Sequence, residues 1–427
     1  MNRRHWLAGS ILLVAALAVA CGGGDDGTTA EPAAAANAAA TPAATSAPES
    51  ASTPAATAPP DLSDFDRPLS PREEQLLFAI GSNYPATRWE TRSISRDELM
   101  SGGPGKDGIP SIDDPKFISQ EEAAEVLTDG SPVISLEVNG EARAYPLEIL
   151  IWHEIANDTI GGVPVAVTFC PLCNVAITFD RRVDGEVREF GVSGLLRVSD
   201  LVMFDRTNES FWQQITGEAI VGVDTGKQLT FLPSQIVSFA DFREGHPDAL
   251  VLSRDTGLRR RYGDNPYRGY DRIGSGTYFP VPEPGGQLDS KERVLTVEID
   301  GDAVAFPFAS LAQHIVIETE VAGRPIVAFW QPGAVSALDW SFIIGSRNIG
   351  AAGAFSPLFD GERLMFEARD GAIVDTSTGS VWSVLGKATS GEMAGAELEP
   401  LISANHFWFS WSVFKPETRV VAAPAGG

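Results

Sequence analysis

Polar and apolar positions alternate cleanly at Ile134-Ser135-Leu136-Glu137-Val138. Successive side chains of a strand face opposite ways, so this run predicts a half-buried β-strand. Asn139-Gly140 follows, a pair suited to a two-residue hairpin turn. Ala142–Tyr145 is the return strand. Pro146 then opens a short helix, where a missing N–H costs nothing. Leu147, Leu150 and Ile151 give that helix an apolar face, and His153 lies near its end. Gly161-Gly162 turns the chain into a buried strand, Val163–Phe169. Further strands are predicted over Val175–Phe179, Glu186–Val192 and Leu201–Phe204. The pattern is α+β, predominantly β, with short helices.

This pattern recurs. Val133–Pro171 lies over Val294–Pro332 at a constant offset of 161, without a gap, and eleven of the 39 positions are identical. The shared residues include His153/His314. Farther on, Asp205, Ser210 and Trp212 meet Asp375, Ser380 and Trp382. The period is far longer than that of a solenoid, so the expectation is two homologous, duplicated β-rich domains. The first covers 61–258 and the second 291–421. A loop rich in Tyr, Gly and Pro over 259–290 joins them, and 422–427 is a tail. The copies differ in chemistry: Cys170 is matched by Gln331, Cys173 by Ala334 and Trp152 by Gln313.

The first sixty residues read differently. Asn2-Arg3-Arg4 precedes an apolar run of 14 residues, Leu7–Ala20, too short to span a bilayer comfortably. Small residues then lead to Cys21. Residues 1–21 resemble a bacterial lipoprotein signal, in which Cys21 becomes the lipidated N-terminus; an ordinary signal peptide cut after Ala20 is the alternative. Residues 22–60 are Ala, Pro, Thr, Ser and Gly with few large side chains, which predicts a flexible tether. The expected location is the extracytoplasmic side of a cell or outer membrane, held by lipid. The formal charge of −25 argues against a nucleic-acid partner.

Candidate chemistry centres on Cys170-Pro171-Leu172-Cys173, the only cysteines besides Cys21. A thioredoxin-like role needs the first thiol at a helix N-terminus, whereas a strand follows here. A metal knuckle holding zinc or copper is a second reading, with His153 and one further donor completing the set. A local disulfide is a third, since exported proteins meet oxidants. Free thiols with another role are a fourth. Chain length permits the helix end to meet the cysteine turn, which would place a His153 nitrogen within ~5 Å of a sulfur. His153 is equally well explained as a capping or packing residue, because His314 recurs without thiols. Asp158, Ser193 and Asp200 are second-rank members of a site; Ser193 is also readable as part of a tight turn and Asp200 as a charge on the surface. Trp212 and Trp382 read as core. The Tyr-rich loop either covers a site or pads the junction.

Trp152–Asp158, Thr168–Asn174, Phe190–Leu196 with Ser199-Asp200-Leu201, Tyr262–Tyr267 and Gly269-Tyr270-Asp271 together resemble the bacterial and archaeal family of unknown function DUF3179. The resemblance extends from about Asp64 to Arg419 and departs at Arg197-Val198, where a pair such as Tyr-Asn is expected. It implies domain identity and supplies no activity. Two functions stay open: a metal- or thiol-dependent enzyme centred on Cys170, Cys173 and His153, or a non-catalytic ligand-binding protein whose cleft between the copies takes a small molecule while a Cys170–Cys173 disulfide braces a turn.

Overall fold

The alternating run at Pro132–Val138 forms a strand that pairs antiparallel with Glu141–Pro146. Asn139 (φ 51°) and Gly140 (φ 79°) make the turn, both in the left-handed region that a two-residue hairpin demands. Pro146 caps the short helix Leu147–Leu150, whose residues are all buried. This is a computed structural model. It describes residues 80–422 except 284, together with Phe65, Asp66, Pro68, Ser70, Pro71, Glu74 and Gln75. Cys21, the leader and the tether lie outside the described residues.

The protein is predominantly β with a few short helices. Three sheets build the first half. In the first, Ser234–Ser238, Pro132–Val138 and Glu141–Pro146 lie side by side, and Leu250–Leu252 adds in parallel. The second runs in the order Thr230–Leu232, Val175–Asp180, Val163–Cys170, Ile155–Ile160. The third is a meander of Phe190–Arg197, Asp200–Asp205, Phe211–Gln213 and Ala219–Val221, with Leu99–Ser101 at its edge. The expected strand Glu186–Val192 is interrupted. Asp184-Gly185, with φ of 52° and 82°, closes a separate small hairpin between Arg182–Val183 and Glu186–Val187. The next strand therefore starts only at Phe190.

The second half is built from three further sheets. Ser403–Phe407, Arg293–Ile299, Asp302–Pro307 and a parallel Arg419–Val420 form one sheet. Val316–Val321, Arg324–Gln331 and Ala351–Phe355 form another, and Phe366–Arg369 through Ala388–Ser390 form a second meander. Trp212 Nε1 donates to Asp205 Oδ2 at 3.1 Å, and Trp382 Nε1 to Asp375 Oδ2 at 3.3 Å, in corresponding places. His314 ends the helix Phe308–His314 and is half-buried.

The halves interlock within one compact unit, Thr57–Gly427. The core around the cysteine strand also takes Leu338, Ile343, Phe407 and Phe409 from the second half. Phe407 N donates to the Cys173 carbonyl at 2.9 Å, just before the helix Trp408–Ser412. In the matching place, Gln331 Nε2 donates to Asp241 Oδ1 at 2.9 Å, on the first half's helix Phe239–Gly245. Among the described residues no helix is long and apolar enough to cross a membrane.

Candidate metal centre

The strand Val163–Cys170 delivers Cys170 to a tight turn, and Val175–Asp180 leaves it antiparallel. Asn174 (φ 54°) closes the turn, its N–H donating to the Pro171 carbonyl at 3.3 Å. Asn tolerates that conformation better than most residues. Both thiols are free, so the disulfide expected as one alternative is not present. They face inward rather than to solvent: Cys170 is 2 % and Cys173 0 % exposed.

A second hairpin turn meets the first. Arg197 pairs with Asp200, leaving Val198 (φ 54°) and Ser199 (φ 63°) as its two central residues. This turn aims the Ser199 carbonyl at both sulfurs, which donate to it at 3.9 Å from Cys170 and 3.5 Å from Cys173. It also places Asp200, fully buried, beside them. One donor atom from each of Cys170, Cys173 and Asp200 lies within 4.8 Å of the other two. Asp200 Oδ2 accepts from Gln213 Nε2 at 2.5 Å and from the Ile215 N–H at 3.0 Å. Asp200 Oδ1 is buried without a hydrogen-bond partner among the described residues. An orphaned carboxylate oxygen beside two thiols is costly unless a cation or donor meets it.

The Tyr-rich segment covers the site. Tyr278 stacks on Tyr267 at 6.3 Å and lies 4.6 Å from Tyr270, and Ser199 Oγ donates to the Phe279 carbonyl at 3.4 Å. Tyr270 packs on Phe407, and its hydroxyl is buried. Lys291 is buried behind this cap. Its Nζ donates to the Tyr270 carbonyl at 3.1 Å and faces the rings of Tyr270 and Phe407.

Burial governs the titration of every group here. It raises the Cys170 thiol and raises Cys173 still further, with the charge of Asp200 adding to both. Burial lifts Asp200 to about 7, against the opposing hydrogen bonds from Gln213, Ile215 and the thiols of Cys173 and Cys170. Glu154 is lifted to about 8 by burial and then by Asp200. Lys291 is lowered to about 7 by burial. Thiols this protonated are poor nucleophiles. Bound to a metal ion they would be thiolates, and the ion would compensate the carboxylate as well.

The family described as "Protein of unknown function (DUF3179)" matches residues 106–418. The chain belongs to this family. The matched span contains both cysteines, Asp200 and the whole aromatic cap. No curated protein matches the chain, and no solved structure does.

Within this DUF3179 chain the expected site residues separate. Asp200 joins the cysteines. His153 does not: its Nδ1 lies 2.7 Å from the Pro110 carbonyl and its Nε2 2.7 Å from the Tyr262 hydroxyl, so both nitrogens are engaged away from the sulfurs. Asp158 is claimed by Arg143 at 2.5 Å and Tyr145 at 2.6 Å. Ser193 sits at a bulge in its strand, donating to the Val202 carbonyl and accepting from the Leu195 N–H at 3.0 Å. Its role is to hold that bulge. Trp212 and Trp382 are core, and His314 has no thiol opposite it. Glu154 was not singled out from the sequence. It takes a left-handed φ of 58°, and Ile315, its match in the second half, takes 63°. The carboxylate-for-isoleucine contrast was readable in the repeat alignment.

Proposed function

We propose that this protein is an exported, lipid-anchored metalloprotein of the cell envelope, binding one thiophilic divalent ion through Cys170, Cys173 and Asp200. The observation that carries the reading is the convergence of three buried donor residues, each with a ligand atom within 4.8 Å of the other two. Two thiolates and a carboxylate suit zinc better than copper(I), whose soft character is poorly served by carboxylate. Three protein ligands leave a fourth position open, the arrangement of a reactive rather than a purely structural zinc site. The charge of Asp200 reaches buried Glu154, and those of both cysteines reach Tyr270, so these two side chains belong to the surroundings of the three donors. The raised thiols count against uncomplexed thiol chemistry.

Elemental analysis of the mature protein is expected to find about one zinc per chain, lost in Cys173→Ser and Asp200→Asn. A metal-free protein that takes up no zinc on reconstitution would sink the reading. In the same preparations Cys21→Ser should move from the membrane to the soluble fraction; retention would remove the anchor.

The two halves are read as copies of one ancestral unit, of which only the first kept the ligands. The repeated strand order and the eleven identities support this. Relatives whose second half retains the cysteines are the expected intermediates, and a family survey showing only unrelated second halves would refute it.

A further inference from the structure

Two clefts run between the halves, and the strand registers make them equivalent. Gln235 pairs with Ser135 as Ala404 pairs with Thr296. Glu218 bridges to Gln228 as Lys387 bridges to Glu397. The backbone agrees: Gln213 N donates to the Glu218 carbonyl at 2.8 Å, and Ser383 N to the Lys387 carbonyl at 2.8 Å.

One cleft is plugged. Lys387 Nζ lies between Glu137 at 3.1 Å and Glu397 at 2.9 Å. Gln235 fills the space beside Gly353 so closely that a Cβ there would stand 1.5 Å from its Nε2. A cavity of only about 90 Å³ remains.

The other cleft is open, a cavity of about 690 Å³. Ala404 takes the place of Gln235, Ile177 that of Gly353, and Glu218 that of Lys387. Removing the plug thus also reverses its charge. Glu298, the counterpart of Glu137, is met by Lys415 at 2.6 Å. Glu218 has no ion pair among the described residues. His406 lines the same cavity, 1 % exposed, its Nδ1 without a hydrogen-bond partner among the described residues. Burial lowers its ring to about 3, so it brings a polar edge without charge.

We propose that the open cleft binds an organic ammonium ion with an apolar body, its cationic head paired with Glu218 and its body against Ile215, Phe231 and Phe414. The volume is that of a small-molecule site. Among the charged lining residues Glu298 is met by Lys415, Asp300 by Arg324 and Arg197 by Glu98, which leaves Glu218 as the carboxylate without an ion pair among the described residues and favours a cation over an anion of the same shape. None of Cys170, Cys173 and Asp200 lines this cavity, so the two readings fail separately.

Calorimetry on the mature chain at low salt tests this with tryptamine and with indole-3-propionate, which carry one apolar body and opposite charges. Tryptamine is expected to bind saturably, roughly tenfold or more tighter than the acid. Glu218→Gln should erase most of that difference. Ala404→Gln, which installs the plug of the other cleft, should abolish binding while leaving zinc content and melting temperature unchanged. Absence of saturable tryptamine binding, equal affinity for the two probes, or binding that survives Ala404→Gln would each overturn the proposal.

Discussion

Val198 occupies a position that its side chain resists. It is the first central residue of a two-residue hairpin, with φ of 54°. For a β-branched residue the left-handed region is a true outlier, costing about 1–2 kcal/mol against a residue that tolerates it. Strain of this kind persists where surrounding structure over-determines it, and here the turn holds Ser199 and Asp200 against the thiols. Val198→Asn restores the residue type that the family resemblance leads one to expect. It should stabilise the protein by roughly 1 kcal/mol in chemical unfolding, with zinc stoichiometry unchanged; a loss of stability would show that Val198 is held by packing instead. Residue by residue, the sequence was legible where chemistry is rare. The cysteine pair announced itself, and Asp200 was near enough in the chain to be noticed. His153 misled because proximity to a helix end does not fix where a ring points. Pro110 and Tyr262, both distant in sequence, decide that.

Strands and turns were the most legible elements, because the period of two and the Asn-Gly or Gly-Gly turns are local signals. Val163–Cys170 and Val175–Asp180 lie within a residue of their expected ends. The Tyr-rich segment was not legible in the same way. Nothing in its local pattern distinguishes a cover from padding, and the distinction arises only when Tyr270 meets Phe407 from the far end of the chain. As a cover, it should control access to the thiols. Tyr270→Ala opens the cap above Cys173 and should raise the native-state rate of thiol labelling at least roughly tenfold, at a stability cost of about 3–5 kcal/mol. Tyr278→Ala, at the exposed face of the loop, should change the rate far less. Equal rates in Tyr270→Ala and the parent, with the variant folded, would mean that another element seals the site.

At the scale of the whole molecule, the repeat in sequence leads one to expect domains that could stand alone, and the packing points elsewhere. The candidate ligands come from the first half, yet the second half finishes their surroundings: Phe407 bonds the Cys173 carbonyl, Ser410 Oγ reaches it at 3.4 Å, and Lys291 backs the aromatic cap. Phe407, Phe409, Leu338 and Ile343 complete the apolar core beneath the cysteine strand. An isolated 61–258 fragment would expose that core and leave the Cys173 carbonyl to water, losing several buried aromatic and aliphatic contacts worth about 1.5–3 kcal/mol each. That loss is comparable to the whole stability of an ordinary domain, about 5–15 kcal/mol. The fragment is therefore expected to show no cooperative unfolding transition and no stoichiometric zinc, and co-expression with 259–427 should restore both. A sharp thermal transition in 61–258 alone, with zinc bound, would show instead that the first half is self-sufficient and that the second only covers it.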